Sequence, residues 1–294
     1  MPQIARAAPI ALLALTLAVA GSAHAAIQFA DVGKNLEYLQ TNSTGSTTPF
    51  GNGGDNAFFF ARVFYDSGNY DGGSVTFGGA TTPFNGQTFD CCGDIGGAYQ
   101  TGYLSKAAMD AQFPTNTTYA LQVTDSTGTS PTTDINIVLP DDLYDSTQIP
   151  TFSAGSFDAL NSLTIGQGLT IVTSTFAPDG RATAGQTFLT VFDLTSGGVV
   201  YSEFGANTRS SWDVGSGIFQ AGHHYEAQLI FDNLVESSDG GVPTTARSDL
   251  RTDVLFDLPA HAAVPEPAAW ALMLTGFGAI GATLRRRRPT AAAS

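Results

Sequence analysis

The run Tyr225-Glu-Ala-Gln-Leu-Ile-Phe231 carries apolar side chains at every second position, and so does Tyr119-Ala-Leu-Gln-Val123 earlier in the chain. Successive side chains of a β-strand point to opposite faces of a sheet, so each run places these apolar members on one face. This pattern is typical of half-buried strands in antiparallel sheets. The same alternation occurs at residues 135–139 and 254–258, and further strands are predicted at residues 57–65, 74–77, 168–176, 187–194 and 198–204. Only residues 104–111 are typical of a helix, so the sequence predicts an all-β protein.

An internal similarity links the two halves of the chain. Phe113-Pro-Thr-Asn-Thr-Thr-Tyr119 and Phe219-Gln-Ala-Gly-His-His-Tyr225 have the same spacing, and each precedes an alternating strand that ends in Leu-Pro. We interpret both as one kind of turn, in which the tyrosine pins the corner before a core strand. This predicts two tandem β-sandwich domains, Ig-like or jelly-roll-like, at residues 26–147 and 148–260. Chance similarity stays open, because alternating runs occur in every such sheet.

The N-terminal segment has the three parts of a secretory signal. Arg6 precedes an apolar run at residues 10–20, and Ala23-His-Ala25 supplies small side chains at the two positions that a signal peptidase requires. The run is short for a membrane span, which needs roughly 20 residues, so a retained transmembrane helix is the weaker alternative. We predict a cleaved signal peptide at residues 1–25.

The C-terminal segment has the pattern of a stop-transfer signal. A linker at residues 261–267 contains Val264-Pro-Glu-Pro267, and uncharged residues 268–284 follow it. A helix of that length, at about 1.5 Å per residue, falls within the range of membrane spans. The basic tail at residues 285–294 contains Arg285, Arg286, Arg287 and Arg288. Clustered arginines are retained in the cytoplasm, so everything before the linker is predicted to face outward.

This tail resembles a known family in the order and spacing of its residues. Pro265-Glu266-Pro267, then Trp270-Ala, then Gly276-Phe-Gly and finally the arginine run resemble the PEP-CTERM sorting signal. The resemblance implies recognition in the inner membrane by an exosortase, a cysteine-dependent enzyme expected to cut near the motif and pass the protein outward. It implies a final location at the cell surface or in the extracellular matrix. An ordinary membrane anchor with accidental prolines is the alternative, and the resemblance covers only the tail.

Charge and composition limit the partners of the body between the two ends. Of the 12 basic and 26 acidic residues, residues 27–263 contain seven and 25, a net charge of −18. So acidic a body is repelled by phosphate, which argues against nucleic acids and anionic lipid surfaces. The loop Asp66-Ser-Gly-Asn-Tyr-Asp71-Gly72 offers oxygen ligands for calcium, but its spacing does not match an EF-hand and a tight turn is the alternative. We otherwise predict no cofactor and no metal.

The adjacent cysteines Cys91 and Cys92 are the only two in the chain. Outside the cytoplasm thiols tend to oxidise, so we predict a vicinal or intermolecular disulfide, with free thiols as the alternative. Adjacent Cα atoms lie about 3.8 Å apart, which is below the usual disulfide range and would strain a vicinal bond.

No motif in the body supports a catalytic centre, although its 25 acidic residues leave paired carboxylates for glycoside hydrolysis as an open alternative. His223 and His224 are adjacent and would point to opposite faces of a strand, and no Gly-x-Ser-x-Gly motif is present. We therefore predict a structural or adhesive surface protein and no enzymatic activity. The alternative is a carbohydrate-binding module whose aromatic side chains stack on sugar rings, or else serve as core aromatics. The candidates lie in or beside polar, glycine-rich stretches: Tyr70, Tyr99, Tyr103, Tyr201 and Trp212.

Overall fold

The computed structural model describes residues 27–51, 54–65, 70–87, 95–125, 134–144 and 149–260, and these residues form mostly β structure, as predicted. The strands described are β1 (Ile27–Gln40), β2 (Thr47–Pro49), β3 (Ala57–Tyr65), β4 (Tyr70–Phe77), β5 (Ala80–Pro83), β6 (Gly86–Gln87), β7 (Ile95–Tyr103), β8 (Thr117–Asp125), β9 (Ile135–Leu139), β10 (Leu169–Val172), β11 (Ala184–Asp193), β12 (Gly198–Ala206), β13 (Ser211–Val214), β14 (His224–Asp239) and β15 (Val242–Asp257). The two helices are α1 (Lys106–Gln112), with Ser105 as its N-cap, and α2 (Ala154–Asn161), with Ser153 as its N-cap.

One large sheet runs through both predicted halves of the chain. Its strand order is β12-β11-β14-β15-β1-β3-β7-β6, and β2 also pairs with β1. The first and last strands, β1 and β15, are parallel neighbours in register from Ala30 opposite Thr244 to Leu39 opposite Asp253. The two sandwiches predicted at residues 26–147 and 148–260 therefore share a sheet. Alternation along the sequence sets the face of each side chain but does not determine which strands pair.

Two separate cores lie on the same side of the large sheet. Under β1, β3 and β7, the sheet β5-β4-β8-β9 covers a core that includes Phe59, Tyr119 and Ile137. Under β11 and β14, helix α2 and the pair β10-β13 cover a core that includes Trp212 and Leu229. Strand β15 contributes inward side chains to both cores: Ala246 and Leu250 to the first, Val254 and Phe256 to the second.

The two similar turns share a tyrosine hydroxyl that bonds to the backbone five residues upstream. The hydroxyl of Tyr119 donates a hydrogen bond to the carbonyl of Pro114 (2.8 Å), and the hydroxyl of Tyr225 accepts one from the backbone N–H of Gln220 (2.7 Å). Three residues before each tyrosine the backbone is left-handed, with φ of 52° at Asn116 and 76° at Gly222. The interpretation of a tyrosine-pinned corner is confirmed, and such corners are characteristic of Ig-type sandwiches.

Several predictions concern residues outside the described ranges. These are the signal peptide at residues 1–25 with Ala23 and Ala25, the loop at 66–69, the pair Cys91 and Cys92, and everything after residue 260. They stay predictions. Neither α1 nor α2 has the length and apolarity needed to cross a membrane.

Candidate functional site

The face of the large sheet that points away from both cores is concave. We call it the concave face. It encloses a groove of about 640 Å³, a size typical of ligand sites. The side chains that define it come from seven neighbouring strands: Ala98 and Gln100 on β7; Phe58, Phe60, Arg62 and Phe64 on β3; Asp31, Asn35 and Glu37 on β1; Arg247, Asp249 and Arg251 on β15; Ile230 on β14; Phe188 and Thr190 on β11; Ser202 and Phe204 on β12.

Distances from the side chain of Arg247 show how strongly the concave face is curved. Its guanidinium carbon lies 5.9 Å from the ring centre of Phe60 and 6.0 Å from that of Phe188, so the two rings are at most about 12 Å apart. The rings belong to strands four spacings apart, which would be about 19 Å in a flat sheet. Gly33 permits this arrangement, because a Cβ there would lie 2.4 Å from the tip of the Phe60 ring and 2.8 Å from the Arg247 Cβ.

A ladder of alternating charges along β15 forms the floor of the groove. Arg247 pairs with Asp232 on β14 and lies 3.4 Å from the Asp31 carboxylate on β1. Asp31 also accepts a hydrogen bond of 2.8 Å from Nε of Arg62. Arg247 and Arg62 are thus both paired within the sheet.

The same ladder continues at Arg251, which meets three carboxylates on three strands. It donates to Glu37 on β1 (2.8 Å), to Glu226 on β14 (2.9 Å) and to Asp253 on β15 itself (2.7 Å). These bonds tie the central strands together across a face that is polar yet largely shielded from water. Pairing of this kind satisfies the buried charges, and removal of one partner would leave the others uncompensated.

Burial raises the pKa of several carboxyl groups on this floor. It raises the pKa of Asp249 well above its usual range, against the opposing charge of Arg247. Burial also raises the pKa of Asp253 to about 7, although Arg251 acts to lower it and the nearby Glu226 and Glu37 raise it further. The pKa of Glu37 is raised for the same reason, again opposed by Arg251. The desolvation of these groups outweighs their ion pairs.

The protein is therefore expected to lose stability as the pH rises from about 4 to about 7. A carboxyl group with a raised pKa holds its proton more tightly in the folded state, so the unfolded chain binds fewer protons in this window and the free energy of unfolding falls, by up to about 1.4 kcal/mol per pH unit for each such group. Carboxylates with a lowered pKa oppose this loss only near the lower end of the window and below it, as at Asp179, where hydrogen bonds from Arg181 lower the pKa to about 2.

Denaturant unfolding at intervals across this window measures the slope. Replacing Asp253 by asparagine removes one of the titrating groups and should make the slope shallower. A flat wild-type profile between pH 4 and 7, or a slope unchanged in Asp253→Asn, would contradict the pKa shift at Asp253.

Four of the five aromatic residues predicted as sugar contacts, Trp212, Tyr99, Tyr103 and Tyr201, do not line the groove of the concave face. Tyr70 stays a prediction, because its side chain lies outside the described part of the structure. Trp212 is 0% exposed in the second core, so the prediction that its ring stacks on a ligand is corrected by its burial. Tyr99 and Tyr103 pack on the first core beside Phe113, each ring about 6.0 Å away. Tyr201 packs on the second core. The structure therefore separates these four residues between two cores and leaves none of them in the groove.

The two histidines have separate partners. Nδ1 of His223 lies 2.7 Å from Asp193, and Nδ1 of His224 lies 2.5 Å from Asp257. Each is engaged with its own carboxylate. Among the described residues, no group of three or more His, Cys, Asp or Glu side chains is arranged to hold a metal ion.

Comparison with known protein families identifies the C-terminal segment. The family model of the PEP-CTERM protein-sorting motif matches residues 263–288. This segment is a PEP-CTERM sorting motif. It contains the predicted motif residues Pro265, Glu266, Pro267 and Trp270 and ends at the fourth arginine, Arg288. The motif supports export through the membrane to the cell surface or the extracellular space, with processing by an exosortase.

Other similarities are weak. No curated protein matches the chain. A crystal structure of the chicken CNTN1 FN1-FN3 domains is 12% identical, with a TM-score of 0.24, and the match covers 77% of this chain and 63% of that one. A segment of two fibronectin type-III domains from chicken tenascin is 10% identical, with a TM-score of 0.20, and the match covers 66% of this chain and 92% of that one.

The sheet lies close to the PEP-CTERM motif along the chain. Strand β15 ends at Asp257, and the motif begins six residues later, a distance of at most about 20 Å for an extended chain. Because β1 runs parallel to β15, Ile27 is at the opposite end of the sheet. The end with Asp257, His224 and the turn after Asp193 is therefore the end of the sheet from which the chain continues to the motif.

Proposed function

We propose that this chain is an exosortase-sorted protein with a structural or adhesive role at the cell surface or in the extracellular matrix. The observation that supports this proposal is the PEP-CTERM motif, which begins six residues after the last strand of the large sheet. On this proposal signal peptidase removes residues 1–25, the motif holds the chain briefly in the inner membrane, and exosortase releases the β body outward. The acidic body supports this, because a net charge far from zero favours solubility outside the cell.

A role in binding or structure is proposed in preference to catalysis. The three arginines on the concave face are engaged with carboxylates of neighbouring strands. His223 and His224 each contact an aspartate in the same way. Side chains held in such ion pairs stabilise the sheet. A substrate could use them only by breaking these ion pairs.

Carbohydrate binding is the second candidate, and the concave face favours it. Its groove combines aromatic rings with hydroxyl and amide groups, the two kinds of side chain that sugars contact. This candidate is compatible with the first, because an adhesive matrix protein needs a surface that holds its surroundings.

In its native host the protein should be recovered at the surface or in the medium as a shortened chain. Intact mass should show a start near Ala26 and an end between Pro265 and Pro267. In a host without a functional exosortase, the chain should keep residues 268–288 and fractionate with the inner membrane. Intact mass spectrometry of each cell fraction measures both outcomes.

Two variants sharpen this experiment. Changing Pro265 and Pro267 together to alanine should block processing, whereas Pro289→Ala, which lies beyond the matched residues, should leave it unchanged. A chain that retains residues 268–288 in the inner membrane in both hosts would contradict the sorting proposal and leave a membrane-tethered β protein.

A further inference from the structure

Aromatic side chains form two walls of the concave face. One wall is built around Phe60 and Phe64 on β3, and the other around Phe188 on β11 and Phe204 on β12. The rings of Phe188 and Phe204 meet edge to face, with centres 4.4 Å apart. Phe204 is 53% exposed although it is a large apolar side chain. An apolar ring left open to a groove is a surface that a ligand can cover.

Uncharged polar groups lie beside these walls. The hydroxyls of Thr190 and Ser202 are 3.2 Å apart next to the Phe188–Phe204 pair, and Gln100 lies opposite Phe60 on the neighbouring strand. On the floor, Oδ1 of Asn35 and Nε of Arg247 are buried without a hydrogen-bond partner. Those two floor atoms are not accessible, so the groove offers a ligand the hydroxyls of Thr190 and Ser202 and the amide of Gln100, which can both donate and accept.

The charges on the floor exclude two other classes of ligand. A polyanion would meet carboxylates on three neighbouring strands while the arginines are already paired, so like-charge repulsion opposes it. An apolar peptide would cover the ion pairs without offering them hydrogen bonds, and desolvating charged groups in this way is unfavourable. A neutral ligand with hydroxyl groups on its edges and C–H groups on its faces avoids both penalties.

We infer that the concave face binds a segment of a neutral polysaccharide. Its sugar rings stack on Phe204 and Phe188, and its hydroxyl groups bond to the amide and hydroxyl groups between the walls. The inference rests on the proposed export, which brings this face into contact with extracellular polysaccharide. It goes beyond that proposal by naming the surface, the class of ligand and the residues that contact it.

Affinity gel electrophoresis of the full chain tests the site with named probes: a soluble glucan, a galactan, a mannan and a polyuronate of matched length. The wild-type chain should be retarded by at least one of the three neutral polymers and not by the polyuronate. Phe204→Ala should weaken that binding about tenfold, because it removes one exposed stacking surface. Because the Phe204 side chain is exposed, Phe204→Ala should keep the native fold. A thermal melt of the variant checks this.

A matched control is Val138→Ala on β9. Val138 has a similar exposure, 58%, but it belongs to the four-stranded sheet on the other side of the protein, so binding should be unchanged. Ser202→Ala is a second test on the concave face, and it removes an exposed hydroxyl beside Phe204 without altering the core. Weaker binding in Phe204→Ala and Ser202→Ala together, with Val138→Ala unaffected, supports the inference.

Three results would overturn it. Binding to a neutral polymer that is unchanged in Phe204→Ala would place the site elsewhere, and binding to the polyuronate alone would refute the class of ligand. Binding to none of the probes, in a protein still released to the surface by exosortase, would overturn the inference and leave the proposed function intact. A protein that binds a neutral polymer through Phe204 but is never processed would reject the proposed sorting alone.

Discussion

Replacing Arg247 with methionine is expected to lower the free energy of unfolding by about 3–5 kcal/mol. The side chain of Arg247 pairs with the fully buried carboxylates of Asp31 and Asp232, and its removal leaves Asp232 without its arginine in the interior of the sheet. Asp31 keeps Arg62, so the loss concentrates at Asp232. Urea unfolding of the wild-type and variant chains measures the difference.

The control is a surface ion pair with the same chemistry. Arg181 pairs with Asp179 but its side chain is 53% exposed, so Arg181→Met should change the free energy of unfolding far less than Arg247→Met. Arg247→Lys keeps the charge but not the planar fork of donors, and it should fall between the two. Equal stabilities of Arg247→Met and Arg181→Met would show that the floor of the concave face does not depend on this arginine.

The sequence predicted the local features of the fold well. Alternating apolar residues placed the inner faces of β8, β9 and β14, because burial on one face of a strand leaves a period of two. The paired corners followed from one spacing, Phe to Tyr, and both tyrosines form the expected bond to the backbone. These features depend on residues that are close together along the chain, so they can be recognised from the sequence alone.

Strand β1 and most of β15 could not be predicted from apolar alternation. Residues 236–249 are mostly polar and show no apolar alternation, yet β15 begins at Val242 and carries Arg247, Asp249, Arg251 and Asp253 on its outer face. Charges of opposite sign at every second position were the available signal. What they pair with depends on β1 and β14, which lie beside β15 only in the folded chain.

The aromatic residues of the concave face were missed for a related reason. The run Phe58-Phe-Phe60 is typical of a core strand, and its middle member, Phe59, is indeed fully buried. Its two neighbours point the opposite way and line the groove. Choosing aromatics beside polar, glycine-rich sequence selected Trp212 instead, whose polar neighbours belong to an edge strand that covers the second core.

Trp212→Ala is expected to destabilise the protein by about 3–5 kcal/mol. The ring is fully buried on β13 opposite Ile171, and the guanidinium carbon of Arg209 lies 4.1 Å from its centre. Truncation would leave a cavity between the two-stranded sheet and the large sheet, and the core could relax only in part. Denaturant unfolding monitored by circular dichroism measures the loss. Trp212→Phe should cost less, since it fills more of the space and removes an indole N–H that has no hydrogen-bond partner.

The same variant separates the two accounts of sugar binding. If Trp212 is a core residue, binding of a neutral polysaccharide should decline in Trp212→Ala only in proportion to the unfolded fraction, and should be normal wherever the variant is fully folded. Phe204→Ala should show the reverse, with native stability and weakened binding. A Trp212→Ala chain that is as stable as the wild type but no longer binds would mean that the indole ring touches the ligand. In that case the site would lie at the β10–β13 pair, and the concave face would be left with the purely structural task of holding the two cores to one sheet.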